Sequence, residues 1–512
     1  MAYDYTPFEY IPPPGLKAAE PRHPVVIVGA GPIGLAMALE LANHGQRSVV
    51  LDDNNVVSVG SRAICWSKRS LEIFDRLGIA DPAVAKGVTW HVGRTFYRDK
   101  EVFNFDLLPE SGHKMPAFIN LQQYYVEEFM VAACQENDLI DLRFKNRVVH
   151  THSMPGGVIV DVETPDGEYA LECDYLLACD GARSPIRAML GLDFAGETFE
   201  ERFLIADIEM TAEFPSERRF WFEPVFHNGQ SALLHKQPDN IYRIDLQLGW
   251  DADPEKERRP EAVIPRIEKV VGHSDFRLDW VSVYTFQCRR LDGFVHDRVI
   301  FVGDSAHVVS PFGARGGNGG LQDVDNLGWK LAAALSGAAG PALLESYDRE
   351  RTFGADENIQ NSSRATRFMT PAEGIERLFR DQTLELAAAA PFARSMVNSG
   401  RLSTPCVYPS KGPDDPRLPP ISRPGAVAPD APQGNGWLLD ELGRDIRVMA
   451  LNCRYPGAFE PEMNDEIRAR YLSDVRQAVY VIRPDQVIAA RFIDPAPGAV
   501  DAALRGVLEG AI

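Results

Sequence analysis

Residues 25–52 read VVIVGAGPIGLAMALELANHGQRSVVLD, and few stretches constrain a fold so strongly. Four apolar residues of strand type run into Gly29, Gly31 and Gly34. Residues 35–43 then read as helix, and RSVVLDD as a second strand ending in an acid. This is a βαβ unit with a glycine-rich first turn. Gly29 permits the tight turn, Gly31 lets a pyrophosphate approach the backbone, and Gly34 allows helix and strand to pack closely. Free N–H groups at the helix N-terminus face the phosphates. Asp52 ends the second strand, 18 residues after Gly34, where a carboxylate can hold ribose hydroxyls. The alternative is a glycine turn in some other α/β domain. Two strands, the helix and the acid together favour a nucleotide.

The remaining chain, to 512 residues, has room for further cores. The formal charge of the full 512-residue chain, −20, argues against nucleic-acid or anionic-membrane binding. Cysteines 65, 134, 173, 179, 288, 406 and 453 form no CxxC pair and no Cys/His cluster at metal spacing. Reduced thiols and no metal are expected. The first 22 residues lack a basic-then-apolar leader, and glycines interrupt the short apolar run that follows. The expectation is a cytoplasmic enzyme with no nucleic-acid partner and no integral membrane contact.

Two later stretches narrow the nucleotide. YLLACDGARSPIR (175–187) is an apolar strand, then Asp180-Gly181, then a basic segment. RVIFVGDSAHVVSPFGARGGNGG (298–320) is another strand, then Gly303-Asp304, then five glycines in the eight residues from Gly313, before an amphipathic helix takes over. Glycine disfavours helix by about 1 kcal/mol per residue relative to alanine, so so bare an approach to a helix implies something lying against the backbone. With these motifs in this order, the chain over roughly residues 23–370 resembles the flavoprotein aromatic hydroxylases, the single-component FAD monooxygenases typified by para-hydroxybenzoate hydroxylase.

The resemblance implies an α/β fold: a Rossmann-like FAD-binding domain, an inserted antiparallel β-sheet substrate domain and a small C-terminal thioredoxin-like domain without redox cysteines. The expected division is an N-terminal tail (1–22), FAD-binding segments (23–95, 119–200 and 293–400), substrate segments (96–118 and 201–292), a Pro/Gly-rich linker (401–436) and a C-terminal remnant (437–512). Besides Gly29, Gly31, Gly34 and Asp52, it assigns Asp180, Gly303 and Asp304 to FAD, with Asp304 on the ribityl chain. GSRAICWSKRSLEIFDRLG (60–78) puts Arg62 beside the flavin, and LQQYYVEEFM (121–130) supplies Gln123, with Gln122 as the fallback. Pro311, Gly316, Gly317 and Asn318 lie against the isoalloxazine, with Arg315 as a nearby cation. A helix N-terminus there stabilises reduced, anionic flavin. Side chains at 316, 317, 319 or 320 would hold the ring off those donors.

Between the FAD motifs the texture turns aromatic and β-branched, as an antiparallel sheet requires, with QPDN (237–240) as a hairpin turn. Period-two alternation gives Leu233, His235 and Gln237 one face. Tyr242, Ile244, Leu246 and Leu248 form an apolar face, with Arg243, Asp245 and Gln247 opposite. By resemblance, His235, Gln237 and Arg243 line the pocket, with His227 a weaker candidate. YVIRPDQVIAARF (480–492) reads as a C-terminal hairpin, and the tail leaves room for a homodimer.

The implied reaction is hydroxylation of a phenolic compound with O2 and NADPH or NADH, through a flavin C4a-hydroperoxide. An FAD-dependent dehydrogenase or oxidase shares the first motif and is the chief alternative. A non-enzymatic nucleotide-binding protein is the remote one.

Overall fold

The computed structural model describes residues 3–212, 214–249, 251–397 and 402–511. The first apolar run is β1 (His23–Val28), with Val25, Val26 and Ile27 fully buried, as a parallel strand covered on both faces demands. The chain turns at Gly29 (φ +105°), where any side chain would press on the Cys179 carbonyl. It then enters α1 (Pro32–Asn43), apolar on nearly every side and wedged among other elements. A methyl at Gly34 would run into the Gly29 carbonyl oxygen, so strand and helix close up only without one. β2 (Ser48–Asp52) follows, parallel to β1 with Val25 opposite Ser48. Further along come α2 (Lys68–Arg76) and α3 (Gln123–Gln135). β3 (Gly167–Ala178) pairs parallel with β1 on its other side.

A second, mostly antiparallel sheet gathers β4 (Ala195–Glu209), β5 (Arg218–Phe222), β6 (Ala232–Lys236), β7 (Ile241–Leu248) and β8 (Arg277–Arg290). Two earlier strands, Val92–Tyr97 and Lys100–Asp106, complete one edge, and Val92–Tyr97 runs parallel to β5. This excursion therefore begins at Val92, ahead of the expected boundary at 96. The hairpin at 237–240 is a tight turn: Asp239 and Asn240 both take left-handed φ (+61° and +56°), the geometry that matches strand twist. Tyr242, Ile244, Leu246 and Leu248 share one apolar core with Leu234, while His235 pairs with Arg243 and Leu233 with Asp245 on the other face.

The chain returns to the first sheet through β9 (Val299–Phe301), parallel to β3. The order across that sheet becomes β9, β3, β1, β2, then Ile140–Phe144, with Val295–His296 at the β9 edge. Then come α4 (Gly316–Leu335), most of it buried, and α5 (Pro341–Met369). The molecule is thus a mixed α/β fold. Among the described residues no helix is long and apolar enough to cross a membrane.

The C-terminal part contains a three-stranded antiparallel sheet, Arg447–Leu451 with β10 (Ala478–Ile482) and β11 (Ile488–Phe492). Its last two strands are the expected hairpin. The stretch read as a linker is corrected here. Within 402–436, Leu418, Ala428 and Ala431 are buried in the C-terminal core, and Gly425 and Ala428 donate to Ile488 and Gln486 carbonyls. Proline and glycine shape this segment's backbone, but its apolar side chains pack it down.

Candidate active site

β1, β2, β3 and β9 run parallel, so their C-terminal ends lie at one edge of the sheet, and the acidic residues Asp52, Asp180 and Asp304 end or follow β2, β3 and β9 there. Gly31 borders open space: a methyl there would meet nothing within 4 Å. Asp52 braces the turn from below, one carboxylate oxygen accepting from the Ala30 N–H (2.6 Å) and the other from Asn54 N–H (2.8 Å). At the end of β3, Asp180 Oδ2 accepts from Ser184 Oγ (2.8 Å) and the Ile186 N–H (3.1 Å). Its Oδ1 is buried with no partner, and burial pushes the carboxyl up. Asp304, after β9, is exposed at the surface, yet desolvation raises its carboxyl too. That combination marks a side chain on the wall of a cleft.

Beneath Asp304 lies a hub that motif reading passed over. Asp323, on α4 and fully buried, accepts from the Gly303 N–H (2.9 Å) and Arg351 Nε (2.5 Å) and pairs with His307 Nε2 (2.7 Å). It pins the 303–307 turn to α4 and α5. An acid on the buried face of an amphipathic helix was the signal available for it.

The bare loop turns out to be bare for two reasons. Only Gly316 opens to space, its nearest neighbour being Val309 Cγ2 at 3.9 Å. A methyl at Gly317 would sit 3.3 Å from the Trp66 ring, at Gly319 3.2 Å from Asn358 Nδ2, and at Gly320 2.7 Å from Ile33. Glycines 319 and 320 therefore serve close packing, which corrects the expectation that all four keep a ligand face clear. Asn318 is corrected likewise: its amide is spent on holding the loop. Its Oδ1 accepts from Ser67 N–H (2.9 Å) and Ser70 Oγ (2.5 Å), and its Nδ2 donates to the carbonyls of Cys65 (2.8 Å) and Ala314 (2.5 Å). Pro311 is exposed, and Arg315 is buried with Nη1 on Asn358 Oδ1 (3.0 Å).

Arg62 sits in the left-handed region (φ +44°) with an exposed side chain, and its carbonyl accepts from Arg243 Nη1 (2.5 Å). Of the two glutamines, Gln123 is occupied inside this loop by Ala63, Ser58 and Glu127. Gln122 is buried with both amide atoms unpartnered. The alternation along a helix start could not tell the two apart.

Across the second sheet one row of polar side chains crosses five strands. Asp207 pairs with Trp280 on one side and Arg243 on the other; Arg243 pairs with His235, and Arg218 continues the register one step beyond the Arg219–Leu234 pair. Burial, reinforced by Arg218 and Arg243, holds His235 well below the usual histidine range, so it is neutral. Its Nδ1 lies 3.9 Å from Cys65 Sγ, whose thiol burial pushes up to about 12. Gln237 Nε2 donates to Asp207 Oδ1 (3.1 Å) while its Oε1 is buried without a partner. Burial raises Asp207 to about 6 despite Arg243. Beside the row, Phe220, Phe222, Phe312, Phe368 and Met369 line a narrow apolar pocket with Arg218 in its wall. His227 stands apart, its Nε2 donating to the Gln247 carbonyl (2.7 Å) under the sheet's other core; it is a packing residue, not a pocket one. Among the described residues no cluster suits a metal.

The donor set fits a dinucleotide: an open glycine turn at a helix start, then an orphaned carboxylate oxygen and an accessible, desolvated carboxylate along one wall. A family profile for the FAD binding domain matches residues 22–362. The 3-(3-hydroxy-phenyl)propionate/3-hydroxycinnamic acid hydroxylase of Mycolicibacterium smegmatis is 28% identical over 375 residues, 73% of this chain and 66% of that protein. A flavin-dependent monooxygenase of Mycobacteroides abscessus is 33% identical over 348 residues, 64% of this chain and 70% of its own length. The flavin-dependent monooxygenase PieE, solved with FAD and substrate, superposes with a TM-score of 0.78 at 24% identity, covering 96% of this chain and all of that one.

Proposed function

The chain belongs to the FAD-binding-domain family, and from that premise we propose that it is a monooxygenase that hydroxylates a phenolic ring with O2 and NAD(P)H. The observation that carries this reading is the meeting of two features. The start of α4 is open at Gly316, and an aromatic-lined pocket adjoins the same loop at Phe312 and Gly313.

Gly29 and Gly31 hold the turn for the pyrophosphate, Asp52 takes ribose hydroxyls with its remaining lone pairs, and Asp180 and Asp304 take hydroxyls along the linking chain. Gln122, rather than Gln123, offers its unspent amide to the cofactor. Arg62, Pro311, Gly316 and Gly317 border the ring, and the positive end of α4 favours anionic charge there. Bound FAD supplies electron transfer from the nicotinamide and activation of O2. The chain's own residues exclude water through the phenylalanines of the pocket. Neutral His235 offers a ring nitrogen for a hydrogen bond from the phenolic hydroxyl, while burial and the flanking Arg218 and Arg243 leave it too weak a base to keep the proton itself. A need for NAD(P)H supports a cytoplasmic location. The tail after residue 436 is read as a shortened thioredoxin-like unit, a reading supported by its hairpin.

The test is a panel of phenols assayed for stimulated NADPH and NADH oxidation, with hydroxylated product and H2O2 both quantified. Phenol-dependent product formation requiring NAD(P)H is expected. Substrate oxidation without NAD(P)H would point instead to a dehydrogenase or oxidase, and H2O2 alone across the panel would defeat the hydroxylase reading.

A further inference from the structure

Residues 3–21 precede the FAD-binding-domain segment (22–362), yet they are fastened along it. The Phe8 N–H donates to the Asn55 carbonyl (2.7 Å), and the Phe8 carbonyl accepts from Asn55 Nδ2 (2.8 Å). Its ring stacks on Phe144 with 4.7 Å between centres. That anchor carries Tyr5 to the loop that bears Arg62. The Tyr5 hydroxyl accepts the Gly60 N–H (2.9 Å), and its ring meets Tyr124 edge-on at the start of α3.

The loop so reached is strained. Gly60 (φ +80°) and Arg62 (φ +44°) are both left-handed, and arginine disfavours that region. Such a conformation persists only where its surroundings over-determine it. From α3, Glu127 accepts from Ser58, the Gln123 N–H donates to the Ser61 carbonyl, and Gln123 Oε1 accepts from the Ala63 N–H. From β7, Arg243 Nη1 donates to the Arg62 carbonyl (2.5 Å). On β8, the Trp280 ring leaves no room for a side chain at Gly60. The remaining hold comes from the tail, on Gly60, midway between the Ser58 and Arg62 anchors. Resting on the assignment of Arg62 to the border of the flavin ring, we propose that Tyr5 is a positioning residue. Its hydroxyl fixes the 60–62 turn and thereby where the Arg62 guanidinium stands beside the flavin. A cation held there favours the anionic reduced ring over the neutral oxidised one. Without the hydroxyl, the turn relaxes and the cation withdraws. Nothing periodic in YDYTPFEY marks this role.

The test is the two-electron midpoint potential of the flavin, measured by dye equilibration on FAD-saturated full-length protein; it needs neither phenol nor NAD(P)H. Tyr5→Phe keeps the ring and removes only the hydroxyl. It should weaken the preference for reduced flavin about threefold, equivalent to a fall of about 14 mV, with melting temperature and flavin content unchanged. Arg62→Met should lower the potential at least as far, and adding Tyr5→Phe to it should change nothing more, the non-additivity of residues that act through one another. Tyr3→Phe removes a hydroxyl bonded to Glu128 (3.1 Å) farther out on the tail and should match wild type. A wild-type potential in Tyr5→Phe, an equal shift in the Arg62→Met background, or the same shift in Tyr3→Phe overturns the inference. Loss of flavin or of fold in Tyr5→Phe overturns it too, making Tyr5 a prop of the structure. An unshifted potential in Arg62→Met takes Arg62 off the ring and ends the inference with it. The hydroxylase reading survives each of these outcomes, because the phenol panel tests it separately.

Discussion

Asp304 and Asp207 are both carboxylates raised by burial, and they predict opposite kinds of experiment. Asp304 is exposed with no hydrogen-bond or ion-pair partner among the described residues, so its charge is set out for a ligand. Asp304→Ala is expected to lower FAD affinity by about tenfold or more while leaving the apoprotein's melting temperature unchanged or higher. Flavin-to-protein absorbance after gel filtration reads the first, and unchanged flavin retention would contradict the assignment. Asp207 sits inside the polar row, its pKa raised from 3.8 to about 6 by desolvation that Arg243 only partly offsets. A raised folded-state pKa favours the protonated form, so the fold keeps this contribution below pH 3.8 and loses it as pH rises through 6. Above that, the ionised group costs the fold about 3 kcal/mol. Asp207→Asn should therefore raise the melting temperature clearly near neutral pH and about half as much near pH ~5. An equal shift at both would show that the charge is not the cause.

The elements divide into those legible from pattern and those decided by packing. The β1 turn–α1 unit, the strand-then-acid motifs of β3 and β9, and the 237–240 hairpin announced themselves because each has a local period and a local backbone requirement. The purposes of the α4 glycines did not, since Gly319 and Gly320 are small for the sake of Asn358 and Ile33, 39 and 287 positions away in the chain. Arg218 and Asp323 were missed for the same reason: pairing across strands and helices creates their environments. So was the packed character of 402–436, where composition reported turns and was silent about the buried Leu418 and Ala431. The division is testable with two glycines. Gly316→Val enters open space at the start of α4, so the apoprotein should melt within about 1 kcal/mol of wild type while FAD binding collapses. Gly34→Ala drives a methyl into the Gly29 carbonyl and should cost about 3 kcal/mol or more before any cofactor is added. If the two variants exchanged these phenotypes in apoprotein melts and flavin titrations, the assignment of open and packed glycines would be reversed.

At the scale of the molecule, the C-terminal part is bound to the same helices that carry the cleft. After β10, Arg483 forms a two-pronged pair with Glu350 of α5 (Nη1–Oε1 2.7 Å, Nη2–Oε2 2.9 Å), and Glu350 also accepts from Lys330 of α4 (2.9 Å). From α2, Arg69 reaches Asp325 of α4 (2.6 Å), the Asp485 carbonyl (2.7 Å) and Gln486 Oε1 (2.9 Å). Three helices and the 483–486 turn thus share one largely buried ion network, and α4 runs from that network to its open glycine start. Burial pushes the Glu350 carboxyl up, but Arg483 and Lys330 outweigh it and hold the group well below the usual carboxylate range. Its stabilisation is therefore present above pH 4.5 and is lost as pH falls toward the folded-state value. Arg483→Met leaves Glu350 with Lys330 and Asn326, takes the guanidinium from Asp485, and should cost about 3 kcal/mol, the lower end of the usual penalty for breaking one side of a buried pair. Wild-type protein should melt in one transition at neutral pH, and the variant should melt lower, with the gap narrowing below pH 4.5, where the unfolded chain's carboxyl takes up a proton that folded wild-type Glu350 does not. A variant that melts with wild type at neutral pH would mean that packing of Trp329, Val479 and Val481 alone holds the C-terminal part in place.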